Sequence, residues 1–584
     1  MVDLGRYKVA WVVDAEYRQH GGEQPMPHCI VAKRINSGQV TRIWMEEGQP
    51  APPPFYGPND LIITYLASAE LNCFRALGWA MPTHVLDLFA EFRNHTNGLY
   101  VAGGNGLAAA LRFFGQDILD VIEKEEMRGL ALRGGPYSDE EKAALLDYCG
   151  RDVLGLERLF HCLRPGLDID RALLRGRYMK AVSQIEMTGI PIDTVALNCL
   201  RQNWEPLRHY MIDTIGAKYG VYINGSFKHA AFDTWLAAEG IPWPRTRTGK
   251  PKTDEDAFKE MAVKYPQLRV LKDLRYLLSK LRIHKLQAGS DNRNRYMTGV
   301  FGSKTGRNQP SASNCAFGSA SWLRGLIQPG PGFGLGYLDF EQQEFGSAAA
   351  LSGDRAMMDA YASGDPYLAF AVQAGAAPVT ATKESHRQIR DQFKTVALGV
   401  QYGMGAKTLA LRLNSPVSRA EEMLALHHRT YQGYWAWLDA IEDEAIRDGF
   451  IQTVFGWRLR VTRQTKDRTL RNFPMQGNGA EMLRISVILA TERGVRVVAM
   501  VHDALLIEAP HEELDGAIAV AAEAMTEASS IVLDGFPLRT EVKTVFHPER
   551  LLSANGRPMW NRVWQGIKNI TGEVPPGVSI EEEK

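Results

Sequence analysis

Two apolar segments that each carry an aspartate constrain this chain more than any other feature. In "AMVHDALLIEAP" (499–510) and the Val497–Val498 pair before it, Met500, Val501, Leu505, Leu506 and Ile507 read as a hairpin of buried side chains with His502 and Asp503 at its middle. In "GFGLGYLDFEQQEF" (332–345) an apolar strand carries Asp339 and runs on to Glu341 and Glu344. An unpaired carboxylate in apolar surroundings is costly, so Asp503 must be paired, bind a metal or put its charge to use. Taken singly, either aspartate also fits a strand-end turn. Two strands that bring one aspartate each to one place suit a pair of Mg²⁺ ions, with Mn²⁺ the alternative. Such ions take hard oxygen ligands and, about 3.5–4 Å apart, activate an attacking hydroxyl and stabilise a leaving oxygen.

The 584 residues leave room for two to four domains, and 45% hydrophobic with 23% charged residues is a globular balance. The six cysteines are scattered without a CxxC pair, which points to reduced thiols in a cytosolic protein and away from zinc. With neither a secretory leader nor an apolar run of membrane-spanning length, no membrane role is expected. Net charge is zero, yet residues 241–310 hold 16 Lys/Arg against 6 Asp/Glu, a basic stretch suited to a phosphate backbone.

Over the first 165 residues or so, strands ("KVAWVVDAEY", "HCIVAKRI", "VTRIWM", "LIITYL", "HVLDLF") alternate with helices ("ASAELNCFRALGW", "NGLAAALRFFG"), an α/β domain. A Pro-rich loop spans 48–58, and a long helix starts at Ser138 with Glu141 three residues on, a capping box. "RPGLDID" (164–170) reads as a hinge. Helices are expected over "RALLRGRYMKAVSQIEMTG", as one piece over "VALNCLRQNWEPLRHYMIDTIG", and as one piece over "FKEMAVKYPQLRVLKDLRYLLSKLR". Strand and helix then alternate, with a two-residue hairpin at "FGWRLRV" (455–461), and the tail "EEEK" reads as solvated.

Three side-chain patterns carry chemistry. Arg390, Lys394, Leu398 and Tyr402 recur every fourth residue, so two cations, one apolar group and one ring share a helix face able to hold a triphosphate at one end and a base at the other. Gly403 and Gly405 follow as a hinge. Arg468, Asn472 and Gln476 repeat the spacing with donors and acceptors suited to the minor groove, although Pro474 argues against a regular helix there. Asp14 and Glu16 alternate along a strand, and Tyr148 and Asp152 share a helix face. The plain alternative for the first two is a solvated polar face.

"LDFEQQE", "RDQFKTVALGVQYG" and "VHDA", in this order, resemble the three polymerase motifs of the family A DNA polymerases, the bacterial polymerase I type. "SKTGRNQP" (303–310) resembles the family's Thr-Gly-Arg segment and "RTLRNFPMQG" its Arg-x3-Asn-x3-Gln segment; the likeness covers roughly 166–550. It implies that Asp339 and Asp503, with the backbone carbonyl of Phe340, hold two Mg²⁺ ions, and that Arg390 and Lys394 bind the dNTP, Lys394 protonating the leaving pyrophosphate. Leu398, Tyr402, Gln342 and Glu344 would line the nucleotide, Glu344 excluding a ribose 2′-hydroxyl. Arg307, Arg468, Asn472, Gln476, His502 and Gly403 would meet primer-template DNA. Ala504 stands where the family has Glu, Leu398 where it has Phe or Tyr, and Tyr367 where His is common, departures that resemble phage branches.

The N-terminal pattern resembles the tyrosine form of the DEDD 3′–5′ proofreading exonucleases: Asp14, Glu16 and Asp152 as metal ligands, with Tyr148, and with Leu66 and Glu70 in place of the usual Asn and Asp. The implied fold class is α/β and α+β, multidomain. A ribonuclease H-like exonuclease domain (1–165) precedes a right-hand polymerase (166–584), its thumb at about 190–300 and its palm and fingers at about 300–550. With the exonuclease-like pattern beginning almost at residue 1, no 5′-nuclease domain is expected in this sequence. A cytoplasmic enzyme of a bacterium or a phage-infected cell is expected. A single-subunit RNA polymerase, an exonuclease with a merely DNA-binding C-terminal half and a non-catalytic repair scaffold are the weaker alternatives.

Overall fold

The structure is a computed structural model that describes residues 7–46, 48, 51–116, 121–280, 283–311, 313–317 and 321–581. The expected loop at 48–58 is irregular over its described part, while Leu281, Arg282 and the last three residues of the "EEEK" tail lie outside the described residues.

The β-branched and apolar runs near the N-terminus form one sheet of β1 (Ala10–Arg18), β2 (Met26–Arg34), β3 (Val40–Trp44), β4 (Leu61–Thr64) and β5 (His84–Asp87), in the order β3-β2-β1-β4-β5. β1 runs antiparallel to β2 and parallel to β4. α1 (Ser68–Ala76) follows β4, and α2 (Leu88–Thr96), which the hydrophobic pattern did not single out, follows β5. α3 (Asp139–Leu163) begins with the capping box of Ser138 and Glu141 and packs on β1 and β2.

The expected hinge is not a gap in the packing. Residues 164–166 make one turn of 3-10 helix, and α4 (Ile169–Thr188) then packs against β5 and α1. Gly176 of α4 lies so close to the sheet that a Cβ there would sit 1.9 Å from the carbonyl oxygen of Val85. One hydrophobic core runs from Val13 and Ile62 through Met179 and Val182 to Phe345 and Leu505, because α4 has apolar side chains on both faces. A buried, bidentate Arg175–Glu91 ion pair (2.6 and 2.8 Å) crosses the same seam.

Farther along, both expected long helices are broken. The first divides at Asn203 into Thr194–Gln202 and Trp204–Thr214. The second divides into Glu255–Lys264 and Leu268–Lys280, because Pro266 lacks an N–H and forces extended backbone on Tyr265. Phe232, Trp243, Phe258 and Leu271 close a separate small core around this basic region.

β6 (Phe333–Phe340) is central in the second sheet. A hairpin of β7 (Phe450–Gln452) and β8 (Arg458–Arg460) stands apart from it, and its loop has five residues rather than two. β9 (Val497–Val501), β10 (Ala504–Pro510) and β11 (Thr540–Phe546) complete the sheet in the order β9-β10-β6-β11, antiparallel throughout. As the hairpin reading expects, His502 and Asp503 stand at its middle: they are the two-residue turn between β9 and β10, His502 being left-handed (φ 56°). A turn at a sheet edge leaves Asp503 half-buried, which lowers the cost that an apolar strand would impose.

α5 (Gln343–Ser352) leaves β6, α6 (Arg387–Gln401) carries the four-residue stripe, and α7 (Asp467–Glu492) backs the sheet. α7 runs unbroken through Pro474, contrary to expectation. Its burial along most of its length outweighs the ~3 kcal/mol that an interior proline costs. In the helical layer beyond α6, His427 is buried against Phe370, Tyr431 and Tyr434, and its Nδ1 accepts from Trp435 Nε1 (3.1 Å). Burial, followed by the neighbouring His428, lowers its pKa to about 3. The unfolded chain takes up this proton below about pH 6.5 and the folded chain only near pH 3, so stability should fall with pH across that window, by at most ~1.4 kcal/mol per unit. Denaturant midpoints at pH 7.5 and 4.5 should show a smaller acid loss in His427→Gln than in the parent; equal losses would refute this assignment.

Candidate functional site

The turn between β9 and β10 folds Asp503 back beside the end of β6. The Phe340 N–H meets the Asp503 carbonyl at 3.5 Å, and the two aspartate side chains lie within hydrogen-bonding range of each other. Burial, then the charge of Asp503, pushes the Asp339 carboxyl up to about 7, and Oδ1 of Asp339 is buried without a hydrogen-bond partner. Glu541 on β11 and Ala504 on β10 flank Asp339 as its cross-strand partners. The nearby Lys543 is drawn off by Glu541 (3.5 Å). Two crowded carboxylates and an orphaned oxygen form an all-oxygen donor set that fits a hard divalent cation. Phe340 buries its ring, so only its backbone is left for ligation.

A second group adjoins this pair. Glu344, on the first turn of α5, stands 3.8 Å from Arg307 and accepts a hydrogen bond from the Tyr402 hydroxyl. Burial raises the Glu344 pKa, and burial with the Glu344 charge raises that of Tyr402 to about 12. Burial and the Arg307 charge hold His502 below its usual value. Gln342 points the other way, its Oε1 accepting from Arg539 (3.4 Å).

Along α6 the stripe is as spaced. Arg390 is held by Asp365, and both Arg390 and Lys394 lie 5.6 Å from the centre of the Tyr367 ring. Leu398 is half-buried, and Tyr402 caps the helix with 40% of its surface exposed. Gly403 (φ 64°) packs against α7, where a Cβ would come within 2.9 Å of Arg468 Cβ, so its place is a close approach of two helices. Arg468, Asn472 and Gln476 are accessible positions on the mostly buried α7. The ion pair of Asp365 with Arg390 and the cross-strand place of Glu541 carry no local sequence signal, since both depend on segments distant in the chain.

In the N-terminal body Asp14 and Glu16 of β1 and Asp152 of α3 each offer a carboxylate oxygen within 4.8 Å of the others, the only such cluster among the described residues. Glu70 is buried next to them: burial and then the Asp14 charge raise its pKa well above normal, and its Oε2 has no hydrogen-bond partner. Tyr148 donates to Asp152, and burial followed by that carboxylate pushes its hydroxyl up. This second all-oxygen set also fits hard cations. Sequence reasoning missed Asp87, whose carboxylate accepts from the N–H groups of Leu66 (2.9 Å), Ala67 (3.2 Å) and Phe89 (2.9 Å). It thereby anchors the turn that aims α1 and Glu70. Leu66 sits in that turn at φ 65°, a left-handed conformation that asparagine adopts more readily.

Comparison with known proteins adds three findings. The pattern of DNA polymerase family A matches residues 227–545. The thermostable DNA polymerase I of Thermus aquaticus is 24% identical over 453 residues, 71% of this chain and 52% of that protein. That of a Thermus thermophilus strain is 29% identical over 225 residues, 36% of this chain and 26% of its own length. The chain thus spans about a quarter to a half of the Thermus relatives it matches. In fold it is similar to the POL domain of Pol1 from M. smegmatis, solved in complex with DNA primer-template and dNTP, with a TM-score of 0.68 at 20% identity over 93% of this chain and 95% of that one. No helix among the described residues is long and apolar enough to cross a membrane.

Proposed function

Because this chain belongs to DNA polymerase family A, we propose that it extends a primer 3′ end with dNTPs on a template strand. The observation that carries this reading is the meeting of Asp339 and Asp503 near Tyr402 at the C-terminal end of α6. Asp339, Asp503 and the Phe340 carbonyl would hold the cations. When bound there, a pair of divalent ions lowers the pKa of the primer hydroxyl and neutralises charge on the departing pyrophosphate.

The remaining work falls to this chain's own side chains. Arg390 exchanges Asp365 for the triphosphate, and Lys394 pairs with the outer phosphates and donates a proton to the leaving group. Leu398 and Tyr402 pack on the nucleotide, Gln342 reaches it only by leaving Arg539, and Glu344, fixed by Tyr402 and Arg307, leaves no room for a 2′-hydroxyl. Arg307, Arg468, Asn472, Gln476 and His502 hold the primer end and the nascent pair, and Gly403 lets α6 close on α7. Lys394→Ala should lower the extension rate by ~10²-fold, and Arg390→Ala should chiefly raise the dNTP KM. Single-turnover extension at varied dNTP separates the two effects; unchanged constants in both variants would remove α6 from the nucleotide site.

For the N-terminal body (1–165) we propose 3′–5′ proofreading. Asp14, Glu16 and Asp152 would hold the cations, Glu70 would supply the fourth carboxylate, and Tyr148 would orient the attacking water. The thumb, palm and fingers of 166–584 would grip primer-template, the basic 241–310 stretch making binding fall steeply with salt. Copying phage or prophage DNA in the cytoplasm of a bacterial cell is the setting that Ala504, Leu398 and Tyr367 fit. The carboxylate cluster favours a second reading, an exonuclease whose C-terminal half only binds DNA. Primer extension with dNTPs on a matched terminus decides: template-directed products support a polymerase, and degradation alone supports the second reading.

A further inference from the structure

The turn that carries Arg307 is built largely from outside itself. Ser303 closes it: its Oγ accepts the Arg307 N–H (2.9 Å), and its N–H donates to the Arg307 carbonyl (3.1 Å). Gly306 (φ 75°) is pressed on Trp457, whose ring would lie 3.1 Å from a Cβ. The outer carbonyls of this turn are held by the N-terminal body. Arg93 of α2 donates to the carbonyls of Phe301 (3.1 Å) and Gly302 (3.2 Å), and Asn97 Nδ2, just past α2, donates to those of Lys304 (2.6 Å) and Arg458 (2.8 Å). Asn94 clamps the β7–β8 hairpin through Gly456 (3.0 Å) and the Arg458 N–H (2.6 Å), and that hairpin brings Trp457 Nε1 to the same Lys304 carbonyl (3.0 Å). Arg307 itself has a buried Nε without a partner and only a 3.8 Å approach to Glu344, so its backbone, more than its side-chain contacts, sets where the guanidinium points.

We propose that the C-terminal end of α2, through Arg93 and Asn97, is a positioning element of the polymerase site that aims Arg307 at the primer terminus. The inference rests on the polymerase reading above and adds that the N-terminal body serves synthesis as well as proofreading. Arg93 and Asn97 are positioning residues, since their contacts are to the backbone of the segment that bears Arg307. A mere domain glue would bond anywhere along the seam; these two side chains bond the turn that bears Arg307. Misplacing a catalytic group by about an ångström costs up to ~10²-fold, which sets the scale expected here.

The test is steady-state primer extension by the full chain and its variants Asn97→Ala, Arg93→Ala, Arg93→Lys, Arg307→Ala and Arg307→Ala/Asn97→Ala. Asn97→Ala and Arg93→Ala should each lower kcat ~10-fold or more with the dNTP KM unchanged, because Arg390 and Lys394 are untouched. Arg93→Lys should recover most of the rate. The double variant should extend no more slowly than Arg307→Ala alone, since an interaction that works through Arg307 has nothing left to lose. Full additivity in the double variant, or wild-type kcat in both alanine variants, would overturn the proposal. A parent chain that extends no primer would instead bring down the polymerase reading itself.

Discussion

Asp503→Asn is expected to cut primer extension by ~10³-fold or more, about 4 kcal/mol of lost transition-state stabilisation, while the protein stays folded and keeps its grip on duplex DNA. The argument begins from crowding. Asp339 is pushed up to about 7 by burial and by the neighbouring Asp503, so the pair is strained as long as no cation lies between the carboxylates. Asparagine keeps the shape of the turn and removes that repulsion, so stability should hold or rise as catalysis disappears. Activity and stability then move in opposite directions, a pattern that general unfolding does not produce. Thermal melts and binding of a labelled primer-template, read beside single-turnover extension, check all three points. Extension within tenfold of the parent would end the two-aspartate reading, and Asp339→Asn should reproduce the effect.

Asp14→Ala should abolish removal of a 3′-terminal nucleotide, again by ~10³-fold, and leave extension from a matched terminus intact. Asp14, Glu16 and Asp152 form one cluster with Glu70 buried at its side, so losing one carboxylate dismantles the cation cradle. The experiment follows a mismatched primer end with and without dNTPs: the parent should trim before extending, and the variant should stall or extend the mismatch. Persistent trimming in the variant would remove the N-terminal site from the chemistry. A substitution is the right tool and a deletion of 1–165 is not. α4 and its apolar side chains pack against β5 and α1, and α2 holds the turn of Arg307, so removing the N-terminal body would expose core and loosen the second site together.

Much of both sites was legible as spacing. Side chains four apart on a helix share a face whatever the helix packs against, and so Arg390, Lys394, Leu398 and Tyr402 could be grouped before any fold was known, as could Tyr148 with Asp152. Asp14 and Glu16 follow from the two-residue strand period in the same way. The capping box at Ser138 is equally local and is formed. Misreadings came where long-range packing overrode a local rule. Pro474 sits inside α7 because burial of that helix outweighs one missing hydrogen bond, and the segment at 164–170 is a short 3-10 turn between two packed helices because α4 is apolar on two sides. By contrast, the place of His502 and Asp503 at the middle of a hairpin is legible, since two polar residues between apolar runs mark the turn that joins two strands.

The amino-acid order alone therefore determined which side chains travel together: the acidic pair and the stripes on α3, α6 and α7. Only the tertiary structure decided which of these groups meet. The register of β6 against β10 and β11 set Asp339 between Ala504 and Glu541, and the docking of α2 set Asn97 on the Lys304 carbonyl. Helix and strand periods act over a few residues and are written in the local pattern. Sheet register and domain docking are selected by burial of a shared core across hundreds of residues, and no short stretch of sequence contains that information.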